Sequence, residues 1–245
     1  MTPANNKFIG RSFFILQYTM KRKLLIIDFR TLLNNLKQIY PETFRVVIKH
    51  GLISISIVSL IFYTFFFDDF IRVFLLQIHN TTLDYIFSFG HWYGNGNPTI
   101  ILFLIFYLGG IYSLNEHLRD TGLLICESFL FTGLITLIMK SALGRWRPFT
   151  GAEPFDFYWL TFGPNEHLSM PSGHATVAFA LSSVLAGTTD NNILKFAYYI
   201  LAVITAISRI YHDQHWFSDV LASAVIGITI GNILIQKHKN KKLHH

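Results

Sequence analysis

The stretch SRIYHDQHWFSD, residues 208–219, is a polar segment set between two apolar runs, 193–207 and 220–235. Apolar runs of this size on either side read as membrane-crossing helices, with the polar residues gathered between them at one membrane surface. Within the stretch, His215 and Asp219 stand four residues apart, a spacing that places both on one face of a helix. There a carboxylate can accept the ring N–H of a histidine and fix its tautomer. An imidazole oriented in this way is a candidate nucleophile or base, although a lone His–Asp pair is more often structural than chemical.

Working outward, the chain has 245 residues, 51% of them hydrophobic and only 14% charged. Soluble domains carry roughly 25% charged residues, so lipid rather than water is the main solvent implied. Four more apolar runs, 51–67, 98–113, 121–139 and 171–187, bring the total to six, each near the ~20 residues that a spanning helix needs. The run at 193–207 reaches that length only if its helix extends into Asn192 or Ser208. The expected fold is all-α: an integral membrane six-helix bundle.

Charge sets the orientation. Fifteen of the twenty Lys and Arg residues fall in residues 1–50, the 114–120 and 188–195 connections and the tail after 235. Those segments are therefore cytoplasmic, and 68–96, 140–170 and 208–219 face outward together. All four tryptophans, Trp92, Trp146, Trp159 and Trp216, lie in the outward segments, as an aromatic belt would require. Residues 21–40 place Leu24, Leu25, Ile27, Leu32, Leu36 and Ile39 among basic residues, the pattern of an amphipathic helix on the cytoplasmic membrane surface.

The expected organisation is an N-terminal cytoplasmic segment (1–50), a six-span domain (51–235) and a basic tail (236–245). The expected location is a bacterial inner membrane with both termini cytoplasmic. The apolar core at 13–16 is too short for a cleavable signal peptide, and the terminal His244 and His245 are set aside from function.

The net charge of +6 is explained by topology and by attraction to anionic lipid. Once the topological charges are removed no basic face is left for nucleic acid. The single cysteine, Cys126, lies within an apolar run, so an intrachain disulfide is excluded.

Three polar clusters sit at the outward ends of the runs. KSALGRWRP carries Lys140 and, seven residues on, Arg147-Pro148; cations on the side that the insertion rule disfavours suggest a bound anion. Arg145, between them, reads as a solvent-facing or lipid-headgroup residue. Pro171-Ser172-Gly173-His174 opens a helix whose N-terminal N–H groups suit an anion, with His174 pointing toward it. The third cluster adds Ser208 and Arg209 to His215 and Asp219. Cations, a helix N-terminus and two histidines converging on one volume define a phosphate site better than any one cluster does.

K-x6-RP, PSGH and SR-x5-H-x3-D, in this order and at helix ends, resemble the three signature motifs of the type 2 phosphatidic acid phosphatase superfamily. All eleven motif positions match, over about a third of the chain. The resemblance implies His215 as the nucleophile that forms a phosphohistidine, Asp219 as its orienting carboxylate and His174 as general acid and base. It implies Lys140, Arg147, Arg209, Ser172 and Gly173 as ligands of the phosphoryl oxygens. No metal or other cofactor is implied, and the substrate is a lipid phosphate taken from the bilayer at its outer face. The motifs leave the particular lipid open, and also the oligomeric state. Two alternatives remain at this point: a phosphotransferase using the same intermediate, and an anion-binding or transport protein without chemistry.

Elsewhere, His212 and Asp213 read as solvated loop residues, Glu127 as a protonated or hydrogen-bonded structural residue, and Tyr93–Asn97 (YGNGN) as a flexible turn. Glu153, Asp156 and Glu166 belong to a solvated loop, and 70–89 reads as an amphipathic segment along the outer interface that helps admit the substrate.

Overall fold

A computed structural model describes residues 3–243, with side chains over 21–39 and 41–241; His244 and His245 lie outside the described residues. In chain order the helices are α1 (Pro3–Lys49), α2 (Gly51–Thr64), α3 (Asp68–Gln77), α4 (Thr81–Tyr93), α5 (Gly96–Ser113), α6 (Glu116–Leu143), α7 (Gly173–Gly187), α8 (Asn192–Tyr211) and α9 (Phe217–Leu243). A 3-10 turn, Phe65–Phe67, carries α2 into α3. Among the described residues the only β-pairing is an isolated bridge between Arg145 and Phe157. The all-α expectation is met.

All six apolar runs fall on helices. Five helical stretches are long and apolar enough to cross a membrane: Gly51–Gln77, Gly96–Ser113, Glu116–Leu143, Asn192–Tyr211 and Phe217–Lys241. The sixth, α7, has only 15 residues. At 1.5 Å per residue it reaches roughly 22 Å, short of a ~30 Å hydrocarbon core. It can be short because α6, α8 and α9 sheathe it and every residue from Ala175 to Ala186 is buried. A helix wrapped in protein has its end groups satisfied by protein, so it need not reach either surface. The outside of the bundle is the reverse: Leu52, Ile55, Phe62, Phe70, Ile105 and Leu137 are exposed. Apolar cover on that scale suits lipid and would be costly in water.

Small residues set the closeness of the inner helices. A Cβ at Gly231 would meet Ser183 Cβ at 2.5 Å, and one at Gly227 would meet the Thr176 carbonyl oxygen at 2.6 Å. This i, i+4 glycine pair lets α9 lie directly against α7, the close approach by which helices associate where no hydrophobic drive exists between them. Gly231→Val should therefore cost about 2–3 kcal/mol by overpacking. The expected readout is a lower unfolding temperature in detergent micelles; an unchanged one would mean that the helices do not touch here.

The N-terminal helix extends well beyond 21–40. Its docked face mixes polar and apolar residues: Leu25 and Ile27 are exposed, whereas Asp28 and Ile39 are buried and Leu36 packs against the core. Asn35 Nδ2 donates to Glu127 Oε1 at 2.7 Å, and Arg119 pairs with Asp28 at 3.7 Å. Glu127 is thus a hydrogen-bonded structural residue, as expected, and that bond helps tie α1 to the bundle. The segment at 70–89, expected to lie along the outer interface, divides into α3 and α4. Exposed aromatics Phe70, Tyr85 and Phe89 cover its outer side, and α4 packs against α8.

One connection decides where the polar clusters meet. Gly144 ends α6 in the left-handed region at φ +60°, and a side chain there would collide with the Tyr158 carbonyl. The following loop is tied down by main-chain bonds, among them Arg147 N–H to Glu166 O at 2.8 Å and Thr161 N–H to Ser141 O at 2.8 Å.

Candidate active site

Each motif residue stands at a helix end. Lys140 is in the last turn of α6, and Arg147 lies just beyond its glycine cap. Ser172 caps α7, accepting a hydrogen bond from Ala175 N–H at 3.5 Å, and Gly173 and His174 form its first turn. Arg209 is in the last turn of α8, and Asp219 in the first turn of α9. His215 sits in the short connection, with its backbone N–H bonded to the Arg209 carbonyl at 3.2 Å. The fold gathers these ends: Arg209, His91, Lys140 and Arg147 surround His174, while Asp219, Lys140 and Arg147 surround His215.

The three motif cations are held by neutral acceptors. Lys140 Nζ donates to the carbonyls of Leu168 and Ser169. Arg147 donates to Asn165 O at 2.9 Å, to Asn165 Oδ1 at 2.8 Å and to Gln214 Oε1 at 3.1 Å. Arg209 Nη1 donates to His91 Nδ1 at 2.6 Å. Arg147 and Arg209 are buried. Among the described residues none of the three forms an ion pair with a carboxylate. Burying a cation is expensive unless an opposite charge accompanies it. Three cations aimed at one place without a carboxylate make a site for a multiply charged anion.

The histidines differ in surroundings. Burial pushes the His215 imidazole well below the usual histidine range, opposed by its contact with Asp219 and aided by the charges of Lys140 and Arg147. A neutral imidazole there has its lone pair available for attack. The contact with Asp219 is long, 3.5 Å from Nδ1 to Oδ2, and Ser169 Oγ lies equally far from Nδ1 while donating to Asp219 Oδ2 at 2.5 Å. Trp216 N–H donates to the same Oδ2 at 3.0 Å. The Nδ1 edge of His215 therefore faces the carboxylate and the serine, which leaves Nε2 for chemistry. His174 is enclosed, and its Nε2 has no protein hydrogen-bond partner. Its ring stacks on His91 with centroids 4.7 Å apart.

A cavity of about 250 Å³ opens beside His174, lined by Gly94, Gly96, Phe129, Gly133 and Gly173 among others. It lies where α5, α6 and α7 meet, next to the YGNGN link. That link is no flexible turn: a Cβ on Gly94 would meet the His174 carbonyl oxygen at 2.7 Å, so the segment is packed against α7. The larger cavity, about 700 Å³, is at the other end of α6 and α9 around Glu127 and Lys237, away from every motif residue.

Arg145 departs most from expectation. It is not solvent-facing; its exposure is 0%, and it lies between Asp68 and Asp219, 2.6 Å from each carboxylate. The turn at Gly144 sends it inward, and two buried acids repay its desolvation. Asp213 also differs: it forms a two-pronged ion pair with Arg72 at 2.6 and 2.8 Å instead of standing free in solvent. His212 is exposed, as expected of a loop residue.

Asp68, His91, Ser169 and Ser218 carry no motif signal. For Asp68 there was a faint one, an acidic pair Asp68-Asp69 directly after an apolar run. For the others nothing local distinguishes a site residue from its neighbours.

Residues 121–243 match the model of the PAP2 superfamily. A PA-phosphatase related-family protein of Dictyostelium discoideum is 33% identical over 146 residues, covering 54% of this chain and 53% of that protein. The chain thus spans about half the length of that relative. An undecaprenyl-diphosphatase of Bacillus subtilis is 31% identical over 157 residues, covering 64% of this chain and 75% of the other. Among solved structures, a transmembrane PAP2-type phosphatidylglycerolphosphate phosphatase from Bacillus subtilis superposes with a TM-score of 0.59 at 20% identity, covering 76% of this chain and 96% of that one. The last likeness is one of fold.

Proposed function

This chain belongs to the PAP2 superfamily, and on that premise we propose that it is an integral membrane phosphatase that removes a terminal phosphate or diphosphate from a lipid through a phosphohistidine intermediate. The observation that carries the reading is the set of three converging cations, Lys140, Arg147 and Arg209, without a carboxylate partner among the described residues, beside a buried His215.

In the proposed reaction His215 Nε2 attacks phosphorus; the N–P bond forms as the bond from phosphorus to the lipid oxygen breaks. His174, protonated once the phosphate anion is bound beside it, gives its Nε2 proton to that leaving oxygen. The same nitrogen then takes a proton from water, whose oxygen attacks phosphorus and breaks the N–P bond, releasing phosphate. The three cations, the Ser172 hydroxyl and the Gly173 amide hold the phosphoryl oxygens as charge shifts among them. Asp219 and Ser169 hold the Nδ1 side of His215, so that the ring does not turn away. The cations supply the positive charge that a divalent metal supplies elsewhere, and the reaction is read as metal-independent.

A lipid fits because the cavity beside His174 is lined by glycines and Phe129, a slot that can take the part of an amphiphile next to the scissile bond. The excess of Lys and Arg on the other segments supports an outward-facing site with cytoplasmic termini.

The test is release of inorganic phosphate by the purified protein in micelles from phosphatidate, phosphatidylglycerophosphate, undecaprenyl diphosphate and a lipid A phosphate, all in EDTA. Sustained release from at least one, blocked by vanadate as a trigonal-bipyramidal mimic of the phosphoryl group, is expected. Activity that disappears on chelation and returns with Mg2+ would overturn the metal-free mechanism; no release from any would overturn the hydrolase.

A further inference from the structure

We propose that Arg145 and Asp68 are positioning residues for the reaction: together they set the charge and aim of Asp219, and through it the protonation of His215. This inference rests on the reading of His215 as nucleophile.

The geometry is that of a fully used guanidinium. Arginine has five N–H donors, and Arg145 spends all five: Nη1 on Asp219 Oδ1 (2.6 Å) and Ser218 Oγ (2.7 Å), Nη2 on Asp68 Oδ2 (2.6 Å) and Pro154 O (2.7 Å), Nε on Pro154 O (3.0 Å). Phe65 packs over its plane with the ring centroid 4.1 Å from Cζ. Asp68 is held in turn by Ser218, whose N–H donates to Oδ1 at 2.8 Å and whose hydroxyl donates to Oδ2 at 2.6 Å. Arg145, Asp68 and Asp219 are all 0% exposed.

Such a triad is a poor device for stability alone. The desolvation of three charges offsets most of their attraction, and well-packed apolar residues often serve as well or better. What distinguishes this one is that its end member is shared: Asp219 gives Oδ1 to Arg145 and turns Oδ2 to His215, Ser169 and Trp216. The chain Asp68–Arg145–Asp219–His215 joins the start of α3, the loop after α6 and the start of α9. How much negative charge Asp219 presents to His215 depends on how much of Arg145 is drawn toward Asp68. The other charged groups acting on the imidazole are Lys140 of α6 and Arg147 of the following loop, and these are common to every variant below.

The two residues act on His215 with opposite signs. Arg145→Gln removes a cation from behind Asp219, so His215 gains a proton more readily. Neutral His215 is the reactive form, and the acid limb of kcat/KM should move up by about one pH unit, the size expected when one charge is removed roughly 10 Å away within protein. Asp68→Asn frees Arg145 to act on Asp219 alone, and the limb should move down by a similar amount. Arg145→Lys keeps the charge but cannot grip both carboxylates, so the limb should stay near that of the wild type while kcat falls about tenfold or more.

The experiment is a pH profile of phosphate release for these three variants, the wild type and His215→Ala, with unfolding temperature and monodispersity measured alongside. Opposite shifts for Arg145→Gln and Asp68→Asn support the proposal. If Arg145→Gln does not accumulate as folded protein, the downward shift of Asp68→Asn together with an unshifted Arg145→Lys carries it. Lower unfolding temperatures with all limbs coincident would overturn it, since a structural triad lowers stability and activity without moving the profile. An active His215→Ala would instead sink the reading of the nucleophile, and this inference with it.

Discussion

His215→Ala is expected to lower phosphate release by about 10⁴-fold or more, the scale of losing a nucleophile whose partners cannot act without it. The bond from phosphorus to nitrogen is then never made, and the cations can only bind. Binding of vanadate or of a lipid phosphate should persist, because Lys140, Arg147 and Arg209 are untouched. A rapid quench with ³²P-labelled substrate separates the steps: the wild type should retain label that survives alkali and is lost in acid, as a phosphoramidate does, and the variant should retain none. Wild-type turnover in the variant would move the protein to the class of anion binders, or assign the nucleophile elsewhere.

The second large effect is at His174. His174→Ala should lose about 10³-fold on a lipid phosphate, within the 10²–10⁴ range of a positioned acid. In the first step, read as the burst of released alcohol or phenol, the loss should be far smaller on a phenolic phosphate, whose leaving group departs without a proton. Because the same ring later activates water, the variant should then stall after the first step and accumulate labelled protein approaching one phosphate per chain. An equal loss of that burst rate on both substrates would mean that His174 binds rather than transfers protons. Nε2 of His174 has no protein partner and so is free to meet the leaving oxygen; the negative charge of a bound phosphate is what lets the enclosed ring carry a proton there.

Much of the fold was legible because burial in lipid is a one-dimensional property. A spanning helix satisfies its own backbone, so an apolar run of sufficient length declares itself without knowledge of its neighbours. That logic placed six apolar runs on helices, five of them in stretches long enough to cross a membrane, and it also missed why α7 is short: sheathing by α6, α8 and α9 is a tertiary property, carried by Gly227 and Gly231 on another helix. The docked face of α1 was hidden for a related reason. Part of its grip is polar, Asp28 and Asn35 meeting Arg119 and Glu127, and a reading for apolar stripes passes over those partners.

At the site, His215, His174, Asp219, Lys140, Arg147, Ser172, Gly173 and Arg209 were all chosen from spacing and from their shared placement at helix ends. The fold does bring them together. His91 was not chosen: a histidine three residues before Gly94 has no signature until Arg209 is found donating to it. There burial, then the charge of Arg209, lowers its affinity for protons and keeps it an acceptor.

The sequence by itself determined which chemistry this chain can do: the residue types, their order and the helix ends on which they ride. Only the tertiary structure decided which charges are compensated. Arg145 and Arg147 are two residues apart and of one kind, yet the first lies between two carboxylates and the second has none. The difference is made by Asp68, 77 residues away. A local motif reports what a residue is, whereas the charge left for an incoming phosphate depends on which acids the fold has brought beside each cation.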